Sequence, residues 1–188
     1  MGKLTLILGG ARSGKSSYAE RLARQNGGAV LYVATAQALD GEMAERIAIH
    51  QQNRPDNWQT LEIPSGVGLK LLAHPPQVKV ILLDCLTLLV SNLLMATASG
   101  LGDDMQVDEG GATELVETEI AQLQAAIQSV EAEWIVVSNE VGLGLVPPYP
   151  LGRVYRDLLG RANQRLAAGA DQAIFMIAGV PMRLSPIS

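Results

Sequence analysis

Leu4-Thr5-Leu6-Ile7-Leu8 runs directly into Gly9-Gly10-Ala11-Arg12-Ser13-Gly14-Lys15-Ser16, and the remaining chain is organised around that junction. The apolar run suits a buried strand. The eight residues after it fit G-x-x-x-x-G-K-[ST], and Tyr18, Ala19, Leu22 and Ala23 continue with helical period. Strand, glycine-rich turn and helix in that order make a phosphate cradle. The glycines let successive backbone N–H groups face an anion, and the helix N-terminus adds its positive dipole end. Lys15 supplies a point charge to the β- and γ-phosphates, and the Ser16 hydroxyl can ligate Mg²⁺. A nucleoside triphosphate site is predicted at Gly9 to Ser16.

Working outward, Val30 to Val33, Val80 to Leu83, Ile135 to Val137 and Ala173 to Ile177 are further short aliphatic runs without polar alternation. Such runs suit strands covered on both faces, as in a parallel sheet. Between them lie helical patterns, most clearly Val116, Ile120, Leu123, Ile127 and Val130. Only seven residues are aromatic, so the core must be aliphatic. The expected fold is α/β, a P-loop NTPase-type three-layer sandwich with a mostly parallel sheet and helices on both faces. Ser99 to Gly111 and Glu140 to Pro150 read as loops. The second follows a strand, and ligands of open parallel sheets sit at carboxyl ends of strands.

At 188 residues the chain suits one domain, 1–188. Its net charge of −5 and lack of a basic patch exclude a nucleic-acid binder. Hydrophobic residues at 48% exclude general disorder. A single cysteine, Cys85, suits a reducing compartment and leaves no zinc-site spacing. The longest apolar run, Cys85 to Ala98, falls short of the ~18 residues a membrane span needs, so no span is expected. With no secretory leader pattern either, a cytoplasmic location is expected.

A P-loop needs a further carboxylate at the end of a neighbouring strand to complete a magnesium shell. Asp84 closes the run Val80 to Leu83 and is the candidate, with a helix N-cap as its alternative role. Asn139-Glu140, after Ser138, is a weaker candidate of the same kind. Asp40 to Glu62 predicts a helix from about Asp40, with Met43, Ile47 and His50 on one face. By spacing alone His50 is a packed histidine at a helix end. His74, before Pro75-Pro76, reads as a loop residue.

The string GGARSGKS followed by YAE resembles the bifunctional adenosylcobinamide kinase / adenosylcobinamide-phosphate guanylyltransferase family of cobalamin biosynthesis. So do Tyr32-Val33-Ala34-Thr35-Ala36, Asp40-Gly41-Glu42-Met43, Arg46-Ile47 with His50, Arg54-Pro55, Trp58-x-Thr60-x-Glu62, Asn139-Glu140-Val141-Gly142 and Gly160-Arg161-x-Asn163-Gln164. The likeness runs in order over nearly the whole chain.

The resemblance implies phosphorylation of the adenosylcobinamide hydroxyl by ATP or GTP. Transfer of GMP from GTP through a guanylylated histidine then follows, and the matching position is His50. It further implies nucleotide contacts at Gly9 to Ser16, at Ala34, Thr35 and Ala36, at Gln51, Gln52, Asn53 and Arg54, and at Glu62 and Asp84. Lys15 would stabilise charge on the leaving pyrophosphate. Glu62 would read guanine, because a carboxylate accepts from the N1 and N2 donors of guanine. Mg²⁺ would sit on Ser16 and Asp84. Some members carry Glu where this chain has Asp84, a reach longer by about 1.5 Å, so contact through water is expected. Gln51-Gln52-Asn53 is less charged than in the family, and Arg46 and Arg54 flank His50 at four residues either side. A corrinoid exceeds the concave surface of one such domain, which favours a site shared between subunits. By family analogy the assembly is a homotrimer, with the loops Ser99 to Gly111 and Glu140 to Pro150 as contact candidates.

Two other readings compete. A single-function P-loop kinase for another small alcohol needs no covalent histidine. A GTP-dependent regulatory switch would use Asn53-Arg54-Pro55-Asp56 as a guanine reader and Asp157 to Gly160 as D-x-x-G. The first, however, follows a predicted helix, and the second lies within a helical pattern.

Overall fold

The opening run forms β1 (Lys3–Gly9), and the glycine-rich turn leads into α1 (Lys15–Asn26). The structure, a computed structural model, describes residues 1–37, 41, 45, 54–100 and 106–184. Among these the chain continues as β2 (Val30–Ala34), β3 (Gln59–Glu62), α2 (Val67–Ala73), β4 (Val80–Asp84) and α3 (Leu86–Ala96). A short pair, β5 (Ala98–Ser99) and β6 (Gln106–Val107), precedes α4 (Glu109–Ser129). Then come β7 (Glu133–Val137), α5 (Pro150–Ala168), β8 (Gln172–Ile177) and β9 (Val180–Leu184).

Seven strands form one sheet in the order β3-β2-β4-β7-β1-β8-β9, parallel throughout except for β9, which runs antiparallel to β8. Successive residues of a strand point to opposite faces, and both faces here are apolar. Leu6, Leu31, Val33, Ile81, Leu83 and Trp134 pack against α2, α3, α4 and α5. Ile7, Val30, Tyr32, Val80, Leu82 and Ile135 pack against Ala19 and Ala23 of α1. The three-layer α/β expectation is borne out.

Helix boundaries follow local chemistry. The α4 N-cap is Asp108, whose carboxylate accepts from the Gly111 N–H at 3.1 Å. Pro150 opens α5, where a missing N–H costs nothing. The apolar run after Asp84 is the eleven-residue α3, and among the described residues no helix is long and apolar enough to cross a membrane.

Several expectations need correction. The stretch Ser99 to Gly111 contains β6 and the first turn of α4. Neither α2 nor the edge strands β3 and β9 stand out as elements in the sequence. The strand beside β1 on the Asp84 side is β7, so Asp84 is two strands from the P-loop strand. The α3 N-cap is Cys85, without a side-chain cap bond, which removes the capping role considered for Asp84. Gly41 and Glu45 are helical, whereas Met43, Ile47 and His50 lie outside the described residues. Asp157 to Gly160 is inside α5, as its pattern indicates.

Candidate nucleotide and phosphoryl-transfer site

The site grows from strand register. Glu62 pairs with Ala34, Ala34 with Asp84, Asp84 with Val137, and Val137 with Ile7. These residues form one row along the carboxyl edge of the sheet, and the P-loop rises two residues beyond Ile7. With strands about 4.8 Å apart, Asp84 sits roughly 10 Å along the row from β1, and Glu62 the same distance further.

The loop has the backbone its sequence requires. Gly14, the α1 N-cap, has φ 92°, and Gly9 has φ 150° with Met176 O 2.5 Å from where a Cβ would lie. The β8–β9 turn braces the loop, because the Gly179 N–H donates to Ser13 O at 3.0 Å. Lys15 is 7% exposed, and its Nζ donates to Gly10 O at 2.6 Å. Burial lowers the Lys15 pKa, opposed by Cys85 and Asp84. Burial pushes the Cys85 thiol up to about 12, so at neutral pH it carries no charge. The Ser13 hydroxyl is buried without a hydrogen-bond partner, an orphan that a phosphate oxygen would satisfy. Ala11, Arg12 and Ser16 complete the loop. Arg12 takes a left-handed φ of 56° and is exposed, and Ser16 opens the first turn of α1.

Around Asp84 the packing is specific. Tyr32 Oη donates to Asp84 Oδ2 at 3.0 Å, and the Arg54 guanidinium lies 3.9 Å from the centre of the Tyr32 ring. Burial first, and then the Asp84 charge, raises the Tyr32 pKa, so its hydroxyl remains a donor. Arg54 Nε is buried without a partner. The Tyr32 and Trp58 rings stack at 6.4 Å. Arg54, Trp58, Thr60 and Glu62 line a cleft of about 270 Å³.

Thr35 is fully buried. Its Oγ1 donates to Cys85 O at 2.7 Å and accepts from Cys85 N–H at 2.9 Å, clamping the ends of β2 and β4 together. Asn92 Nδ2 holds Thr35 O from the other side at 2.8 Å. Of the three expected nucleotide positions here, Ala34 ends β2, Thr35 spends its side chain on this clamp, and Ala36 follows.

The fold thus brings Gly9 to Ser16, Ala34 to Ala36, Arg54, Glu62 and Asp84 to one edge. His50, Gln51, Gln52 and Asn53 lie outside the described residues. Sequence reasoning passed over Tyr32, Asn92 and Asn163 as site residues. The available signals were a phenol inside an aliphatic strand run and two amides within apolar helical stretches. Asn163 is 5% exposed, and its Oδ1 accepts from Ser138 Oγ at 2.7 Å.

Three kinds of similarity bear on this arrangement. In fold, the chain is similar to a solved RadB recombinase at TM-score 0.51 and 15% identity, covering 93% of this chain and 74% of that one. In sequence, it is 42% identical over 181 residues to the bifunctional adenosylcobalamin biosynthesis protein CobU of Salmonella typhimurium, covering 96% and 99% of the two chains. It is 45% identical over 179 residues to the bifunctional adenosylcobalamin biosynthesis protein CobP of Pseudomonas aeruginosa, covering 95% of each. Residues 5–184 match the family described as cobinamide kinase / cobinamide phosphate guanyltransferase. With its P-loop at the carboxyl edge of this sheet, the chain belongs to the cobinamide kinase / cobinamide phosphate guanyltransferase family.

Proposed function

We propose that this chain phosphorylates the hydroxyl of adenosylcobinamide with a nucleoside triphosphate. It then transfers GMP from GTP to that phosphate, releasing pyrophosphate. The observation that carries the reading is the P-loop with its buried Lys15 on the same carboxyl edge of the sheet as Asp84, within a sequence that matches the family from residue 5 to 184. A kinase P-loop works by positioning and by spreading charge, and a desolvated ammonium does both.

Gly9 to Ser16 hold the triphosphate, Arg54 and Lys15 meet its charge, and Glu62 reads guanine. The neighbouring Gln51, Gln52 and Asn53 complete the nucleotide contacts, beside Ala34 to Ala36. The donor chemistry supports Mg²⁺, a hard cation that takes few protein oxygens and keeps phosphates and waters as its other ligands. Ser16 and Asp84 would hold it, and among the described residues no cluster of three or more His, Cys, Asp or Glu competes for it. When bound, it would neutralise phosphate charge.

His50 carries the guanylyl group. Its imidazole nitrogen attacks the α-phosphorus of GTP, forming an N–P bond as the bond to pyrophosphate breaks. A phosphate oxygen of the acceptor then displaces the histidine, which splits one hard transfer into two easier ones. The span 1–188 acts as one domain, and three copies associate as a homotrimer, by the family resemblance.

The test uses GTP labelled at the α- or the γ-phosphate, with Mg²⁺ and no acceptor, on wild type and His50→Ala. Acid-labile α-label on the wild-type protein alone is expected. Wild-type protein without α-label would remove the histidine carrier and leave a plain kinase.

A further inference from the structure

On the far side of Asp84 from Glu62 lies a second cleft, of about 480 Å³, which the nucleotide contacts do not use. Leu8, Glu140, Arg156, Arg161, Asn163 and Gln164 line it, between the exit of β7 and one face of α5. It opens beside the P-loop, because the Glu140 N–H donates to Gly9 O at 3.0 Å. The strand carrying it, β7, separates β1 from β4, so Glu140 stands between the strand of the P-loop and that of Asp84.

The cleft is built and rigid. Asn163 Nδ2 donates to Asn139 O at 3.0 Å while its Oδ1 holds the Ser138 hydroxyl. The Asn139 N–H donates to Thr87 Oγ1 at 2.7 Å. The segment leading to Glu140 is therefore pinned from α3 and α5 together. The carboxylate itself is oriented, with Oε1 accepting from the Gly142 N–H at 2.7 Å. Opposite it on α5 stand two guanidinium groups, Arg156 with Asp157 at 3.4 Å and the exposed Arg161.

Two carboxylates, Glu140 and the Asp157 paired with Arg156, and two guanidinium groups line the cleft. The oriented Glu140 with the two arginines suits a ligand that begins as an alcohol and ends as a phosphate monoester. A carboxylate accepts a hydroxyl proton, and arginine forks match phosphate oxygens. The nucleotide contacts proposed above, Glu62 and Arg54, belong to the β2–β3 side and leave this side open. We infer that this cleft is the acceptor subsite, with Glu140 as the base for the alcohol and Arg156 and Arg161 as ligands of the phosphate it becomes. In the first step the hydroxyl oxygen bonds to the γ-phosphorus. The bond from that phosphorus to the β-phosphate oxygen breaks, the nucleoside diphosphate leaves, and the proton passes to Glu140. In the second step the arginines hold the monoester while its oxygen bonds to the α-phosphorus of the guanylyl group and the N–P bond to His50 breaks, freeing the imidazole.

The inference rests on the proposed function, and its test separates the two. Glu140→Gln keeps an oxygen for the Gly142 N–H but cannot take a proton. It should lower kcat for cobinamide phosphorylation about 100-fold and abolish the acid limb of the pH–rate profile. Arg161→Ala should raise KM for cobinamide phosphate about tenfold or more while KM for GTP moves less than about twofold, and Arg161→Lys should restore part of the loss. Thermal melting checks that each variant folds. Wild-type turnover with both variants at wild-type acceptor kinetics would overturn the subsite alone. Wild-type protein that used neither acceptor would overturn the functional reading and this one with it.

Discussion

Tyr32 orients two groups assigned to the triphosphate, donating from its hydroxyl to Asp84 and carrying the Arg54 guanidinium on its ring. Tyr32→Phe keeps the ring and removes the donor, which should cost about 1 kcal/mol in urea unfolding. The sign of the pH dependence follows from the raised folded-state pKa. The unfolded phenol ionises near 10.0 while the folded one stays protonated. The Tyr32 contribution is thus fully present below pH 10 and is lost as pH rises beyond it. Melting temperature should fall along this alkaline limb in wild type and less steeply in Tyr32→Phe. Cys85 and Tyr155, also raised by burial, add to the slope in both proteins. An identical limb in both proteins would contradict this account. Among the site residues, Lys15 and Gly14 were legible because their roles are set by the backbone beside them. The engagement of Thr35 with Cys85 was not, because it joins positions 50 residues apart.

At the scale of elements, α2 shows how a short helix depends on its neighbours. Its seven residues are too few to persist alone, and its N-cap Gly66 has no side chain to cap with. Glu119 of α4 does that work from a site only 4% exposed. Its carboxylate accepts from Gly66 N–H at 2.6 Å, Val67 N–H at 2.8 Å and Gly68 N–H at 3.4 Å. Glu119→Ala leaves these donors buried without an acceptor and should cost about 3 kcal/mol in urea unfolding, with Glu119→Gln losing less. A loss below about 0.5 kcal/mol would mean that water replaces the carboxylate. In sequence, Glu119 is a charge on a long amphipathic helix, with nothing nearby to mark it as a cap for another element.

For the whole molecule, one sheet edge collects the ends of β1, β2, β3, β4 and β7, so a ligand there stabilises the assembled layers together. Mg²⁺–GTP at about 100 times Kd should add about 2.7 kcal/mol and raise Tm by roughly 5–10 °C. A chelator should reduce the shift, and Lys15→Ala should remove most of it. An unchanged Tm at saturating GTP would place the nucleotide elsewhere. Patterns within a few residues were enough to establish the strand–loop–helix junction, the parallel aliphatic strands and the α/β class. Strand period, helix period and glycine-rich turns are all local physics. The placement of Asp84 two strands from the P-loop, the Tyr32–Asp84–Arg54 cluster, the Glu119 cap and the cleft at Glu140 came only with folding. Each depends on which strands pair and which helices cover them. Those choices are settled by the summed burial and hydrogen bonding of segments far apart in the chain.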